Sequence, residues 1–233
     1  NWKFNLIKAV NKYGGYSKIP EVEKKSLVKF CGDEKIKSVL SVSSNHKCAY
    51  CECSLLEGGY SQVEHFYPKS LYPEEAFDWD NYLAICTLCN GEKLNHDTKK
   101  ELIVNPYDED PNNYFYYESI NIKAIDENEI AKNTIKVVGL ETGRLWRPRA
   151  EILISLNEYS RNLKEALYDF HENSDTDVKK INRIKKIKAS LYIIDDMKDP
   201  RNKYSAFSKS YLEKCEFYIE AKNIIADYEE IDF

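Results

Sequence analysis

Cys48-Ala49-Tyr50-Cys51, Val63-Glu64-His65-Phe66 and Cys86-Thr87-Leu88-Cys89-Asn90 follow one another within the segment that decides the fold. The first and third stretches each contain a C-x2-C pair, and together the two pairs supply the four thiolates of a tetrahedral structural zinc site. The alternative is four buried cysteines at chance spacing. It is disfavoured because the first pair follows the basic Lys47 and the second precedes a predicted helix. We therefore expect a structural Zn²⁺ at Cys48, Cys51, Cys86 and Cys89, with no open position for chemistry.

Secondary-structure patterns around these cysteines predict two short strands followed by a helix. The strands are expected at residues 61–66 and 82–85, and the helix is expected to begin at Thr87. Gly58-Gly59 is typical of a turn, and Asn105-Pro106 is typical of the end of a structural unit. The sequence thus predicts a zinc-stapled module over residues 45–105.

His65 is the candidate catalytic residue of this module. Cleavage of a phosphodiester needs a base that activates water and a cation that stabilises the developing charge. His65 is suited to the first task, while Glu64 and Asn90 offer oxygen ligands for a hard cation such as Mg²⁺ or Mn²⁺. Asn81 is a candidate for orienting the imidazole. A single histidine on a strand is more often structural, so a zinc module that binds without catalysis is the alternative.

The stretch from Cys48 to Lys93 resembles the HNH, or ββα-metal, nuclease family. The resemblance implies that His65 is the general base, Glu64 the acidic metal ligand, Asn81 the middle asparagine and Asn90 the last metal ligand. Two residues depart from the common pattern. Glu64 stands where aspartate is usual, and Asn90 stands where the family also uses histidine. Both variants fit a site that holds a single metal ion.

A weaker resemblance extends from Lys47 to about Leu156. This longer stretch is similar to the HNH proteins of the Septu anti-phage system and of retron-linked defence cassettes. This resemblance implies a nuclease subunit controlled by a partner ATPase of the ABC/SMC type, which docks on the C-terminal region. The alternatives are a non-catalytic zinc-stabilised adaptor that binds an ATPase, or an autonomous restriction or homing-type HNH enzyme. The further motifs that carry the resemblance are Phe66-x-Pro68-Lys69-Ser70, Asp80-Asn81-Tyr82, Asn105-Pro106-Tyr107, Asp110-Pro111, Gly139-Leu140 and Arg147-x-Arg149.

Composition limits the compartment and the partners. The chain has 233 residues, 42% of them hydrophobic, and no apolar run of membrane-spanning length, so we expect no membrane partner. No signal peptide is visible, and the C-x2-C spacing favours metal over disulfides, so we expect a reducing, cytoplasmic location. The net charge of −5 is unusual for a protein that binds nucleic acid. Any phosphate-binding surface is therefore expected to be local or to come from a partner.

Outside the module, the pattern predicts a mostly helical chain of the α+β class. We expect helical segments in residues 1–44, over 20–31 and 34–41. Residues 106–233 are expected to begin with strands at 114–117 and 134–138 and to continue with helices around 149–170, 181–191 and 211–224.

Several weaker signals complete the prediction. Lys69 and Lys93 are candidate contacts for substrate phosphate, and Cys53 and His96 are candidates of low weight for joining a metal site. The basic run of residues 179–188 is expected to be a solvated helix face, with phosphate or partner binding as its alternative.

Overall fold

The computed structural model describes residues 1–57 and 61–229. It is a mostly helical α+β structure with two small two-stranded sheets and a buried cluster of four cysteines. The chain divides into two compact units. The N-terminal unit comprises residues 1–116 and 122–142, and the C-terminal unit comprises 117–121 and the residues from 143 onward. The turn predicted at Gly58-Gly59 lies outside the described residues.

Three helices begin the N-terminal unit: α1 (Trp2–Tyr13), α2 (Glu21–Leu27) and α3 (Glu34–Ser43). The side chain of Asp33 caps α3 by accepting a hydrogen bond from the Lys35 amide, which confirms the predicted second helix. The helix predicted over 20–31 is shorter than expected. It ends at Leu27, and a 3₁₀ turn follows, which brings Cys31 into the interior.

The predicted strands and helix of the zinc module are confirmed. Strands β1 (Gln62–His65) and β2 (Tyr82–Ile85) pair antiparallel, with Glu64 opposite Leu83 and His65 opposite Tyr82. All four residues of β2 are buried. Helix α4 (Thr87–Lys93) follows directly, with Cys86 as its N-cap. This hairpin and helix bring the cysteine pairs and the predicted catalytic residues into one region.

The region after the module contains one confirmed strand and one incorrect prediction. Strands β3 (Phe115–Glu118) and β4 (Asn121–Ala124) form the second small sheet. The strand predicted at 134–138 is wrong, because these residues belong largely to helix α5 (Glu129–Val137). The Asn128 side chain caps this helix by accepting from the Ala131 amide at 3.0 Å. Capping and burial of one helical face outweigh the strand preference of the β-branched residues.

Four helices make up most of the C-terminal unit: α6 (Gly143–Asn173), α7 (Asp177–Asp196), α8 (Ser205–Leu212) and α9 (Glu216–Glu229). The single helix predicted around 211–224 is wrong, since the chain breaks between α8 and α9. Leu212 and Tyr218 are both buried, yet residues six positions apart lie about 240° apart around a straight helix. A break allows both side chains to reach the interior.

The basic run of residues 179–188 lies on α7, where several of its cations already have partners. Lys179 pairs with Asp175, and Arg183 pairs with Asp169. These contacts support the interpretation as a solvated helix face. Among the described residues, no helix is both long and apolar enough to span a bilayer.

Candidate functional site

The four predicted zinc ligands meet in a buried cluster. The sulfur atoms of Cys48, Cys51, Cys86 and Cys89 all lie within 4.8 Å of one another, and all four residues are buried. The Cys51 and Cys86 sulfurs are 3.8 Å apart. Thiolates about 2.3 Å from a tetrahedral zinc ion are separated by about 3.8 Å, so the cluster has the dimensions of a structural zinc site.

Backbone hydrogen bonds hold the first cysteine pair against the hairpin. The Cys48 amide donates to the Cys53 carbonyl at 2.9 Å, which closes a tight turn, and the Ala49 amide donates to the Ala84 carbonyl of β2 at 2.9 Å. Glu52 has the left-handed backbone conformation, with φ of +57°, inside this turn. The second pair is placed by α4, where the Cys86 sulfur accepts from the Cys89 amide at 3.4 Å.

The four sulfurs of the cluster interact strongly with one another. Hydrogen bonding to Cys48 lowers the pKa of the Cys86 thiol, and hydrogen bonding to Cys48 also lowers the pKa of Cys51. Burial raises the pKa of Cys48, and hydrogen bonding to Cys48 raises the pKa of Cys89, so the four thiols hold their protons unequally. Cys53 lies beside the cluster, where hydrogen bonding to Cys48 raises the pKa of the Cys53 thiol, but Cys53 is outside the group of four. His96 bonds the Glu101 carbonyl instead, at 2.8 Å.

His65 ends β1 and is held in one tautomer. Its Nε2 lies 3.0 Å from the Ala76 carbonyl oxygen, which also accepts from the Tyr82 hydroxyl at 2.8 Å. Because a carbonyl oxygen only accepts, Nε2 carries the hydrogen and Nδ1 keeps its lone pair. Burial lowers the pKa of His65 to about 3, with a further contribution from the positive charge of Lys69. The imidazole is therefore neutral near neutral pH, as a general base must be.

Asn81 holds the loop that accepts the hydrogen bond from His65. Its Oδ1 accepts from the Tyr67 amide at 2.7 Å, and its Nδ2 donates to the carbonyls of Tyr67 and Glu75 at 3.1 and 2.9 Å. Glu75 directly precedes Ala76 in the sequence. Asn81 is thus connected to the imidazole through the loop backbone, and it is nearly fully buried.

Glu64 forms a buried ion pair with Lys93. The Lys93 ammonium lies 2.5 Å from Oε1 of Glu64 and also donates to the His65 carbonyl at 3.2 Å. Burial raises the pKa of Glu64, and the charge of Lys93 opposes this shift. The Lys93 side chain is fully excluded from solvent. Its ammonium therefore contacts the carboxylate rather than an open surface, whereas Lys69 is half-buried.

Asn90 lies one turn before Lys93 on α4. Its Nδ2 donates to Oε1 of Gln62 at 2.5 Å. Gln62 and Glu64 are two positions apart on β1, so their side chains lie on the same face of the strand. Asn90 and Lys93 are three positions apart on α4 and share one face of the helix. Helix α4 therefore lies along the face of β1 that carries Gln62 and Glu64. The structure thus brings Glu64, His65, Asn81 and Asn90 into one hairpin-and-helix unit. Oxygen donors from Glu64 and Asn90 are suited to Mg²⁺ or Mn²⁺, which bind few protein ligands.

Two residues of this region were missed by sequence reasoning. Gln62 binds Asn90, and strand alternation from Glu64 would have identified it. Tyr50 lies between the first two cysteines, and its buried hydroxyl has no hydrogen-bond partner among the described residues. Burial raises the pKa of Tyr50 well above its ordinary value, and the charge of Glu64 adds to the shift.

Comparisons with known proteins identify the family. No protein-family model matches the chain. A protein named Septu protein PtuB from Bacillus thuringiensis is 35% identical over 198 residues, which cover 83% of this chain and 74% of that protein. A second Septu protein PtuB, from Bacillus mycoides (strain KBAB4), is 26% identical over 233 residues, which cover 83% of this chain and 78% of that protein. At this identity and coverage, the chain belongs to the Septu PtuB family.

Proposed function

We propose that the protein is a metal-dependent HNH endonuclease that hydrolyses nucleic-acid phosphodiester bonds. The observation that carries this proposal is the state of His65. Burial lowers its pKa so that the ring is neutral, its Nε2 hydrogen is bound to the Ala76 carbonyl, and its Nδ1 keeps a lone pair that is able to accept a proton. It directly follows Glu64 in the sequence, at the end of a strand in a hairpin that is followed by a helix. This is the arrangement expected of a ββα-metal site.

In this proposal His65 accepts the proton of the attacking water, and Asn81 is a positioning residue. Asn81 fixes the backbone at Tyr67 and Glu75, and this backbone sets the place of the Ala76 carbonyl. The imidazole therefore keeps one orientation and one tautomer without touching Asn81. A general base at a fixed position contributes about 10²- to 10⁴-fold to a rate.

Glu64 and Asn90 are the proposed ligands of Mg²⁺ or Mn²⁺. Such a cation, when bound, stabilises negative charge that develops on the phosphate. Lys93 donates its hydrogen bond to Oε1 of Glu64, so the other carboxylate oxygen, Oε2, is the one proposed to bind the cation. The four-cysteine cluster is proposed to hold Zn²⁺ as a purely structural ion, because all four of its ligand positions are protein sulfurs.

The biological setting is proposed from the relatives. Both similar proteins are named Septu proteins. We assign the chain the role of nuclease subunit in an anti-phage defence complex with a PtuA-like ATPase of the ABC/SMC type. The net charge of −5 agrees with this assignment, because a large partner would then supply part of the nucleic-acid surface.

One observation favours a second candidate function, a non-catalytic adaptor that binds the ATPase. The Lys93 ammonium occupies the carboxylate that a catalytic cation needs, and the pair is buried. An adaptor would need this pair only for stability, so its biological effect would survive loss of His65.

The test is cleavage of supercoiled DNA and of structured RNA in Mg²⁺ or Mn²⁺, by the chain alone and with its ATPase partner. His65→Ala is the informative variant. His171→Ala is the matched control, because His171 is exposed on α6 and pairs with Glu220. The nuclease proposal expects cleavage by the wild type and the control but not by His65→Ala. Cleavage retained by His65→Ala would overturn the assignment of the base. No cleavage under any of these conditions, combined with phage protection that survives His65→Ala, would establish the adaptor.

A further inference from the structure

A second concave site lies in the C-terminal unit, in a part of the chain that the nuclease proposal does not use. We call it the C-terminal pocket. It has a volume of about 520 Å³ and lies among α6, α8, α9 and the start of the unit. Its aromatic wall consists of the half-buried Tyr117, Tyr211 and Phe217, and the buried Phe207 packs against Tyr117. A cavity of this size is typical of sites that bind small molecules.

Three cations line the same pocket: Arg161 and Lys164 on α6, and Lys214 between α8 and α9. Among the described residues, Arg161 and Lys164 form no ion pair, and one acidic residue, Glu216, lines the pocket. The Lys164 ammonium lies 5.1 Å from the centre of the Phe217 ring. The pocket is therefore positive in a chain whose net charge is −5.

A buried arginine next to Tyr117 adds to this positive charge. Arg149 is 1% exposed, and its guanidinium carbon lies 5.2 Å from the centre of the Tyr117 ring. It donates to the Ile120 carbonyl at 3.2 Å, while its Nε has no hydrogen-bond partner in the described structure. No described carboxylate forms an ion pair with it. Buried charges are normally paired, so this one leaves an uncompensated positive potential beside Tyr117.

We propose that the C-terminal pocket binds a nucleotide, with its phosphate on Arg161, Lys164 and Lys214 and its base against the aromatic wall. Cations bind phosphate oxygens through charge-assisted hydrogen bonds, and every nucleobase presents a face that stacks on aromatic rings. An inorganic anion would leave the aromatic wall unused, and an acidic peptide would gain little from it. A free nucleotide and a nucleotide within a single strand share this chemistry.

The experiment measures binding by the full zinc-loaded chain without added Mg²⁺ or Mn²⁺, so that no cleavage intervenes. The probes are adenosine 5′-triphosphate and 5′-phosphorylated hexathymidylate, with adenosine and inorganic phosphate as the two fragments. We expect saturable binding of at least one nucleotide probe and much weaker binding of both fragments. Tighter binding of the triphosphate would assign the site to free nucleotides. Tighter binding of the hexamer would assign it to a strand.

The variant Arg161→Ala/Lys164→Ala should weaken the binding by about tenfold or more, because two charged hydrogen-bond donors are lost. Lys185→Ala, an exposed lysine of α7, should bind like the wild type. Arg161 and Lys164 are not among the residues of the nuclease proposal, which keeps this result separate from that proposal. The proposal is overturned by an absence of saturable nucleotide binding, by equal binding to the double variant, or by equal competition from a polyglutamate peptide.

Discussion

The Lys93 ammonium lies 2.5 Å from Oε1 of Glu64, where the Lys93 side chain is fully buried and the Glu64 side chain is 10% exposed. The carboxylate next to the proposed base is therefore compensated by a cation that the chain itself provides. Such a pair is costly to break, because removal of either partner leaves an isolated buried charge. The pair also connects α4 to β1, and thus the zinc cluster to the proposed catalytic residues.

Replacement of Lys93 by methionine is expected to lower the free energy of unfolding by about 3 to 5 kcal/mol, since Glu64 would be left buried and unpaired. Urea unfolding of the purified variant measures this loss. Glu64→Gln/Lys93→Met should recover most of it, because the remaining amide is neutral. Lys100→Met is the control, since Lys100 is exposed and pairs with Asp97 at the surface. The expectation is contradicted if Lys93→Met lowers the free energy of unfolding no more than Lys100→Met does.

The stability of the chain is expected to depend on pH through His65. The pKa of His65 is about 3 in the folded chain and about 6.5 when unperturbed, so the unfolded chain binds the extra proton between these values. Stability therefore falls as the pH falls through this window, by up to about 1.4 kcal/mol per pH unit from this residue. Urea unfolding of the wild type and His65→Gln, without added Mg²⁺ or Mn²⁺, measures the difference. If the free energy of unfolding depends on pH in the same way for both proteins, the pKa of His65 is not lowered in the folded chain.

The cysteine cluster is expected to hold zinc, and Cys86→Ser should abolish this binding. Serine can still cap α4, so the destabilisation of the hairpin and helix that we expect in this variant comes from the loss of zinc. Elemental analysis of purified protein measures the zinc content. Cys53→Ser is the matched control, because Cys53 lies beside the cluster but outside the group of four. Zinc retained in Cys86→Ser at the wild-type level would be incompatible with the assigned ligand set.

Asn81→Asp is expected to preserve one hydrogen bond and lose two. The new carboxylate still accepts from the Tyr67 amide, but it faces the carbonyls of Tyr67 and Glu75 without a donor. A loss of stability of about 1 to 3 kcal/mol or more follows from the unpaired buried groups. If Asn81 positions His65, the turnover rate should fall more than the apparent substrate affinity. Unchanged turnover in a folded variant would remove Asn81 from the catalytic proposal.

Local sequence patterns predicted the strands, the helix and the cysteine cluster of the zinc module, because each of these features depends on residues that are close together in the sequence. C-x2-C spacing requires the two cysteines of each pair to lie close together, and the apolar run of β2 had a strand's length and composition. The cluster of four cysteines and both strands of the first hairpin appear where the patterns placed them. Charge pairing within the module was harder to predict. The contact of Lys93 with Glu64 joins residues 29 positions apart, which no local pattern specifies.

The errors arose where tertiary burial competes with local preference. The β-branched residues at 134–138 favour a strand in isolation, yet the capped start at Asn128 and the buried Ala131 and Thr134 produce a helix. Likewise, the spacing of the apolar residues from 211 to 224 is typical of one helix. One straight helix would not bury both Leu212 and Tyr218, so the chain forms two helices instead. The C-terminal pocket was not predicted, because it combines side chains from residues 117 to 217.

Chemical rescue of His65→Ala examines the proposed role of His65 as the base of a nuclease site. The measurement is the rate of nucleic-acid cleavage by His65→Ala, on the substrate that the wild type cleaves, with and without added imidazole. We predict a loss of about 10²-fold or more, unchanged zinc content, and partial recovery with imidazole. Wild-type cleavage by His65→Ala, or a loss that imidazole leaves unchanged in a folded, zinc-loaded variant, would contradict the assignment of His65 as the base.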